Sequence, residues 1–490
     1  GREPAPPMMP RRSPRVRGST VAGVVLATAA CAAPSGASAA AGAASEASAW
    51  SPPAERTATS TVTGSSTVAL RTSKRPTPDL DGRPPPPPDA GDVLIWIPRV
   101  VFAPVHLVTE WGIRRPLGFV LTIAERDGWA DLVIDFFTFE DRKIGIIPTF
   151  FLDFDFRPSV GVYFFWNELF VKPHSIRLVA AYGGEDWLHL GFVDRWELGE
   201  SFRFEAAVDY LSRPDYIFTG VGPDTDVDVF QRYLEARTEG AGRVRVDDFW
   251  RASELRVEGG VRRVRFASGD PDEDDGELDL ARPGAPRPEG FDTGYTSAFQ
   301  RGLFRLDTRL ARPAPGSGVY VEGRIEHGWD IEDPGRYQWL RTGASAGAFL
   351  DLGQYRTVGL SGQLDFADPL GDRTLPFTEL VHLGRRPQDL SAFLPGVLIG
   401  RSAAILTAEY RYPVWVFLDG SLQYSVGNVF GAGLEDFELG ALRSSLGIGI
   451  QGTQDPDNMF TFQFALGTSR FDEPFAIDSV RVVFGTQTGF

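Results

Sequence analysis

Cysteine is nearly missing from this chain: Cys31 is the only one in 490 residues. No intrachain disulfide can form, so oxidative stapling does not hold the fold. Histidine is scarce as well. His106, His174, His189, His327 and His382 are scattered without metal-ligand spacing, so neither a metal nor a cofactor is expected from them. Beyond residue 40 no run of eighteen apolar residues occurs, which excludes a helical membrane span on length. Basic residues are in deficit, 49 Lys and Arg against 65 Asp and Glu, for a net charge of −16. That is the wrong sign for nucleic acid and for a basic patch on anionic lipid headgroups. Large apolar residues are almost absent from the first ninety positions. This stretch is rich in Ala, Ser, Pro and Gly and has nothing with which to offset chain entropy.

What the N-terminus does have is an export layout. Arg11, Arg12, Arg15 and Arg17 precede the short apolar stretch Val21–Ala30, and Ala37-Ser38-Ala39 offers a small-residue cleavage site. Thr28-Ala29-Ala30-Cys31 also resembles a lipoprotein box, with Cys31 as the lipidated residue and Thr28 where Leu is usual. Residues 1–40 are therefore read as a signal peptide or lipoprotein signal. Residues 41–91 are read as a disordered linker that ends in the stiff polyproline run Pro84–Pro88.

With helical spans excluded, a closed barrel is the remaining backbone-satisfied route through a bilayer. The remaining 400 residues carry the two-residue rhythm that such a barrel needs. Phe460, Phe462, Phe464 and Leu466 share one face against Thr461, Gln463, Ala465 and Gly467. Phe202, Phe204, Ala206, Val208 and Tyr210 oppose Arg203, Glu205, Ala207 and Asp209. Val319, Val321 and Ile325 oppose Glu322, Arg324 and Glu326, and Val358, Leu360, Leu364 and Phe366 oppose Ser361, Gln363 and Asp365. Leu406, Ala408, Tyr410 and Tyr412 oppose Thr407, Glu409 and Arg411. Segments of about ten residues at ~3.3 Å each, tilted by about 40°, cover roughly 25 Å. Trp187, Trp196, Tyr210, Trp329, Tyr410 and Tyr412 stand near segment ends, where membrane-interface girdles belong. Long links at Gly269–Gly290 and Asp368–Gly400 alternate with short ones.

The expected fold is all-β: a transmembrane antiparallel barrel of about sixteen strands over 144–490, placed in the outer membrane of a Gram-negative-type envelope. Residues 92–143 are expected to form two or three short amphipathic helices, with Pro104 and Pro116 where helices begin. These helices could cap the periplasmic end, lie at the membrane interface or plug the lumen.

Farther on, Leu375-Pro376-Phe377, Leu383-Gly384, Leu394-Pro395-Gly396, Glu409-Tyr410-Arg411-Tyr412-Pro413 and Gly427-Asn428-Val429-Phe430 follow in order. Ser444-Ser445-Leu446-Gly447-Ile448-Gly449 and the terminal Phe490 continue the series. It resembles the bacterial surface antigen domain, the barrel of the BamA and TamA superfamily, best over 375–490. The resemblance implies a sixteen-stranded outer-membrane barrel and, in many relatives, a role in protein insertion or secretion. It implies contact with the barrel-assembly machinery through the C-terminal strand, with Phe484 and Phe490 as the terminal signal, and with outer-membrane lipid and lipopolysaccharide.

The candidate loop and lumen residues are Pro395, Gly396, Arg401, Glu409, Arg411, Ser425 and Gly427. Two departures from the family pattern fall among these residues. Pro395-Gly396-Val397 stands where relatives carry an Arg-containing loop tip, and Ser425 stands where they carry the Asp that receives it. Losing both halves of a charge-assisted contact costs far less than losing one. Residues 32–91 cannot fold as a POTRA domain, so a POTRA-less member is expected, with client docking left to a POTRA-bearing partner chain.

No enzyme is expected. Gly343-Ala344-Ser345-Ala346-Gly347 spells a nucleophile elbow, but a strand-like pattern runs on through Leu352 where the elbow needs a turn and a helix. Asp270, Asp272, Glu273, Asp274, Asp275 and Glu277 form an acidic loop that fails the calcium-loop pattern, because Gly276 falls one place late. Lumen charges at Glu322, Arg324, Glu326, Glu409 and Arg411 would either set ion preference in a pore or pair off as a stiffening ladder. Three functions stay open: an insertion or translocation barrel, a passive or gated pore without clients, and a surface-structural barrel.

Overall fold

The computed structural model describes residues 96–126, 132, 135–272, 276–309, 316–353, 355–386, 389–415, 418–452 and 458–488. Residues 1–40 with Cys31, read above as a signal, residues 41–91, read as a linker, and Phe490 lie outside them. Sixteen long strands form the body, beginning with β1 (Ile144–Asp153), β2 (Ser159–Asn167), β3 (His174–Tyr182) and β4 (Leu188–Leu198). Next come β5 (Phe202–Phe218), β6 (Gln231–Asp247), β7 (Glu254–Ser268) and β8 (Tyr295–Asp307). Then follow β9 (Gly318–Asp330), β10 (Gln338–Asp351), β11 (Thr357–Pro369) and β12 (Ser402–Trp415). The last four are β13 (Leu418–Phe430), β14 (Arg443–Gly452), β15 (Asn458–Thr468) and β16 (Ile477–Thr488). Each pairs antiparallel with the next, and β1 returns to β16, so the sheet closes into a barrel. Pairing around a closed ring is what a bilayer demands of the backbone, and here the ring closes between β1 and β16 over part of their length.

Side chains directly opposite each other in an antiparallel pair share a face, so the registers carry one face around the ring. Phe192 stands opposite Val208, Gly302 opposite Ile325, Leu360 opposite Ala408 and Phe462 opposite Phe484. That face carries exposed Val160, Val208, Val261, Ile325, Leu360 and Leu406 and is the lipid wall. The opposite face carries Arg195, Glu205, Glu258, Glu322 and Ser425, all buried inside. The two-residue rhythm therefore does what the sequence implies. Strand length does not stay near ten residues: β2 and β3 have nine, while β5 and β6 have seventeen.

Long connections, including 269–294 and 370–401, leave the strand ends opposite the termini and are taken as extracellular; short ones such as 168–173 and 199–201 lie on the terminal side. Gly343–Gly347 lies within β10, with Ser345 buried and facing inward, so no strained strand-to-helix turn forms there. Among the described residues no helix is long and apolar enough to cross a membrane.

Ahead of the barrel run α1 (Trp96–Val101), α2 (Ala103–Thr109) and α3 (Arg115–Arg126), the last two joined by a wide turn at Glu110–Arg114. Pro104 sits in the first turn of α2, where its missing N–H costs nothing. Pro116 is the second residue of α3, where a missing N–H is likewise tolerated. The turn before it opens to π spacing, with the Arg115 N–H donating to the Glu110 carbonyl, and the helix runs on. Phe102, Val105, Ile113, Leu117 and Leu121 pack on a cluster of Tyr410, Tyr412, Leu418, Phe460 and Phe484, all on the lipid-facing side of the strands. The helices thus lie against the outside of the barrel rather than in the lumen. Tyr410 and Tyr412, expected in an interfacial girdle, are covered by them. Trp187 also departs from the girdle: it is buried in the β3–β4 connection beside Arg213.

Candidate functional site

The ring is unevenly joined. Among the described residues β1 and β16 meet at three residue pairs, Phe151 with Gly485, Leu152 with Phe484 and Asp153 with Val483, with one backbone bond just beyond them from the Phe154 N–H to the Val482 carbonyl at 3.1 Å. By contrast β5 and β6 pair from Phe202 with Val246 to Phe218 with Gln231. Among the described residues, Ile144–Phe150 of β1 pair with β2 and not with β16. The seam is therefore held at its extracellular end and unpaired toward the termini. Gly485 makes even this contact feasible. Its φ is +144°, and a Cβ there would sit 2.2 Å from the Phe150 carbonyl oxygen.

At the joined end, Arg481 of β16 faces the lumen. Its Nε and Nη2 donate to the two carboxylate oxygens of Asp153 at 2.9 and 2.7 Å, a bidentate pair across the seam. Its Nη1 donates to the Gly384 carbonyl at 2.6 Å and, more weakly, to those of Ser391 and Phe393 at 3.4 and 3.2 Å. One guanidinium joins the last strand, the first strand and the 370–401 loop.

That loop folds into the extracellular half of the lumen. Leu390, Phe393, Leu394, Val397, Leu398 and Ile399 are buried in one core with Ile217, Tyr233 and Trp339 of the wall and Phe291 of another loop. Glu379 anchors the other side of the loop. It accepts from Arg262 Nη1 and from the Tyr295 hydroxyl, both at 2.5 Å, and Arg341 lies 3.6 Å away. Burial opposes its charge, but the Arg262 guanidinium, and then that of Arg341, hold its carboxyl down at about 2. His382 lies in the same loop. Its Nε2 lies 3.1 Å from the Phe377 carbonyl, and burial, with Arg385 nearby, holds it well below the ordinary histidine value.

Below the loop, ion pairs run strand to strand. Arg195 bonds Glu205 at 2.7 Å, Glu205 bonds Arg243 at 2.9 Å, and Arg243 bonds Glu258 at 2.9 Å. Arg301 then bonds Glu258 at 2.8 Å and Glu326 at 2.7 Å. Arg324 links Glu322 at 2.7 Å to Asp365 at 3.0 Å. The expected charges Glu322, Arg324 and Glu326 thus belong to a mutual ladder along β4–β11. Glu409 and Arg411 pair with each other at 2.9 Å farther round.

The other sequence candidates divide. Ser425 faces inward and exchanges a 2.9 Å hydrogen bond with Thr407, so no anionic receptor exists at that position. Gly396 takes φ +101°, and a Cβ there would fall 2.0 Å from the Ile217 carbonyl oxygen; it is a packing glycine where the loop meets β5. Val397, beside it, accepts through its carbonyl from Thr219 at 2.7 Å, and Pro395 is half-buried in the same bend. Arg401 reaches Asp368 at 2.6 Å at the loop's base, away from the seam. Gly427 is inward-facing in β13 against the β12 backbone. Phe484 packs on Phe150 and Phe460 on the outer wall. Sequence reasoning missed Arg481 and Asp153. The available signal was a lone Arg among the valines of the last strand.

The five histidines remain apart. His174 stacks on Trp196 and meets Asp194 at 3.2 Å, and His189 meets Asp209 at 2.8 Å. His327 meets Gln338 at 3.0 Å, and His106 lies in α2. Among the described residues no group of three His, Cys, Asp or Glu is placed to hold a metal. Of the acidic loop, Glu277 pairs with Arg232 and Asp270 with Arg157.

The fold and wall define a transmembrane β-barrel with a lumen loop. No family model matches the chain, and no curated protein matches it. Solved structures similar to it include BamA from Haemophilus ducreyi lacking POTRA domains 1–3, with TM-score 0.48, 12% identity and 70% of each chain covered. CdiB from Acinetobacter baumannii is similar at TM-score 0.43 and 10% identity, over 70% of this chain and 60% of that one. OccK11 from Pseudomonas aeruginosa is similar at TM-score 0.32 and 14% identity, over 69% and 93%. The barrel assignment itself rests on the strand registers.

Proposed function

We propose that this chain is an outer-membrane barrel, exported through its N-terminal signal, that aids the insertion or transport of protein or lipid by parting at the β1–β16 seam. The observation that carries the reading is the three-pair contact between those strands. A wall joined this weakly at one place, and along long registers elsewhere, has a predetermined site of lateral opening, because each missing ladder pair removes backbone hydrogen bonds that a bilayer cannot replace. Client docking would come from a POTRA-bearing partner chain, and folding of the barrel itself from the assembly machinery acting on the C-terminal strand.

Leu152 and Phe484 are opposite each other in the register. A disulfide between Leu152→Cys and Phe484→Cys, in a Cys31→Ser background, should abolish function, with activity restored by reductant. Growth and envelope composition unchanged by the oxidised link would defeat the proposal. A second reading, a gated pore without clients, draws on the charged lower lumen beneath a removable loop.

A further inference from the structure

The helical segment has two apolar sides, and only one of them is used within the chain. The inner side packs on β12, where Phe102 stacks on Tyr410 and Gly118 abuts Trp415, and the apolar cluster begun there continues over the outer wall through Leu422 and Ile450 to Phe484 and Phe150 at the seam. The outer side carries Ile97, Val101, Val108, Trp111, Phe119 and Ile123, from about two-fifths to two-thirds exposed. A helix lying on a barrel in water would turn a polar back to the solvent.

The segment is tied at one end to the β10–β11 turn, where Arg99 Nε donates to the Leu352 carbonyl at 2.7 Å and Arg356 pairs with Glu110 at 3.1 Å. At its other end the chain reaches β1, pairing Thr138 with Gly145 and Phe139 with Ile144.

We propose that residues 96–126 are a lipid-held strap, gripping the wall beside the seam with one face and taking phospholipid of the terminal-side leaflet as partner with the other. Continuity decides the occupant: the exposed side chains extend the same apolar surface that the strands present to lipid. The placement of cations agrees. Arg115 stacks over the Trp111 ring at 3.5 Å, setting a guanidinium beside an indole, the pairing favoured at headgroup depth. Arg114 and Arg115 pair with Glu110 at 3.0 and 3.8 Å, yet their side chains stay 41% and 54% exposed, leaving donors on the outer side for a phosphate. A strap held this way covers the seam from the lipid side while Arg481 clasps it from the lumen.

The test uses the full chain with Cys31→Ser, reconstituted in phosphatidylethanolamine/phosphatidylglycerol vesicles. Single cysteines Val108→Cys, Phe119→Cys and Ile123→Cys carry an environment-sensitive fluorophore, with Asp436→Cys as an extracellular-loop control. Strong quenching by shallow nitroxide lipids, with weak quenching by aqueous iodide, is expected at all three belt sites. Iodide quenching as strong as at the control would put the belt in water, and protection from both quenchers would put a protein on it. Either result overturns the proposal. For the strap itself, Leu117→Asp with Leu121→Asp should raise amide exchange in Ile146–Phe150 by about tenfold while β5 and β6 stay unchanged. Unaltered exchange in β1 would show that the belt holds lipid without holding the seam, and that also overturns it.

Discussion

Arg481 concentrates the energetics of the seam in one side chain. Its charge is buried with Asp153, and neither has water to fall back on if the other is lost. Arg481→Met should therefore cost about 3–5 kcal/mol, because it strands a carboxylate; pairing it with Asp153→Leu should recover much of that loss. Urea unfolding midpoints of the two variants in vesicles check the order; equal losses in both would mean that the pair is not coupled. Glu379 and His382 make loop docking sensitive to acid, with one sign. Both values are depressed on docking, so the undocked loop binds protons more readily and docking weakens as pH falls. The weakening begins as pH drops through the ordinary histidine value of 6.5 and deepens between 4.5 and about 2, where Glu379 protonates. Proteolysis of the 383–394 stretch against pH should show both phases, and His382→Gln should remove only the first. A loop equally protected at pH 7 and pH 3 would contradict this.

At the scale of elements, the contrast is between β5–β6 and β1–β16. Amide exchange should be fastest in Ile144–Phe150 and slowest in the long central strands, because opening free energy follows the number of ladder bonds and the contacts over them. Uniform protection around the ring would mean that the seam is not a weak point. The strands themselves were legible in the sequence. Alternation such as Phe460, Phe462, Phe464 against Thr461, Gln463, Ala465 is a local property, visible without knowing any partner. The length of β5 and β6 was not legible, because their extracellular ends leave the lipid and enter the loop core around Ile217 and Tyr233, where alternation no longer reports a bilayer. The helices were legible as helices, from Pro104 and their apolar spacing. Their position was not: an apolar stripe fits a lumen, an interface or an outer wall equally well until Tyr410 and Tyr412 are known to point outward.

For the whole molecule, the described residues pack the extracellular half of the lumen with apolar side chains and line it below with paired charges. The intact barrel should be silent in a planar bilayer, and removing 383–394 should produce conductance steps. Removing 96–126 should not, since those residues lie outside the lumen. Steps from the intact protein would favour an open pore. The amino-acid order alone determined that this chain builds a closed β-wall. It did so through a two-residue period sustained over many segments and the want of any long apolar run. Where that wall is weakest, which loop fills it and what the helices rest on were decided only by tertiary structure. Arg481 and Asp153 stand 328 positions apart, and nothing local marks two such residues as neighbours before the ring closes.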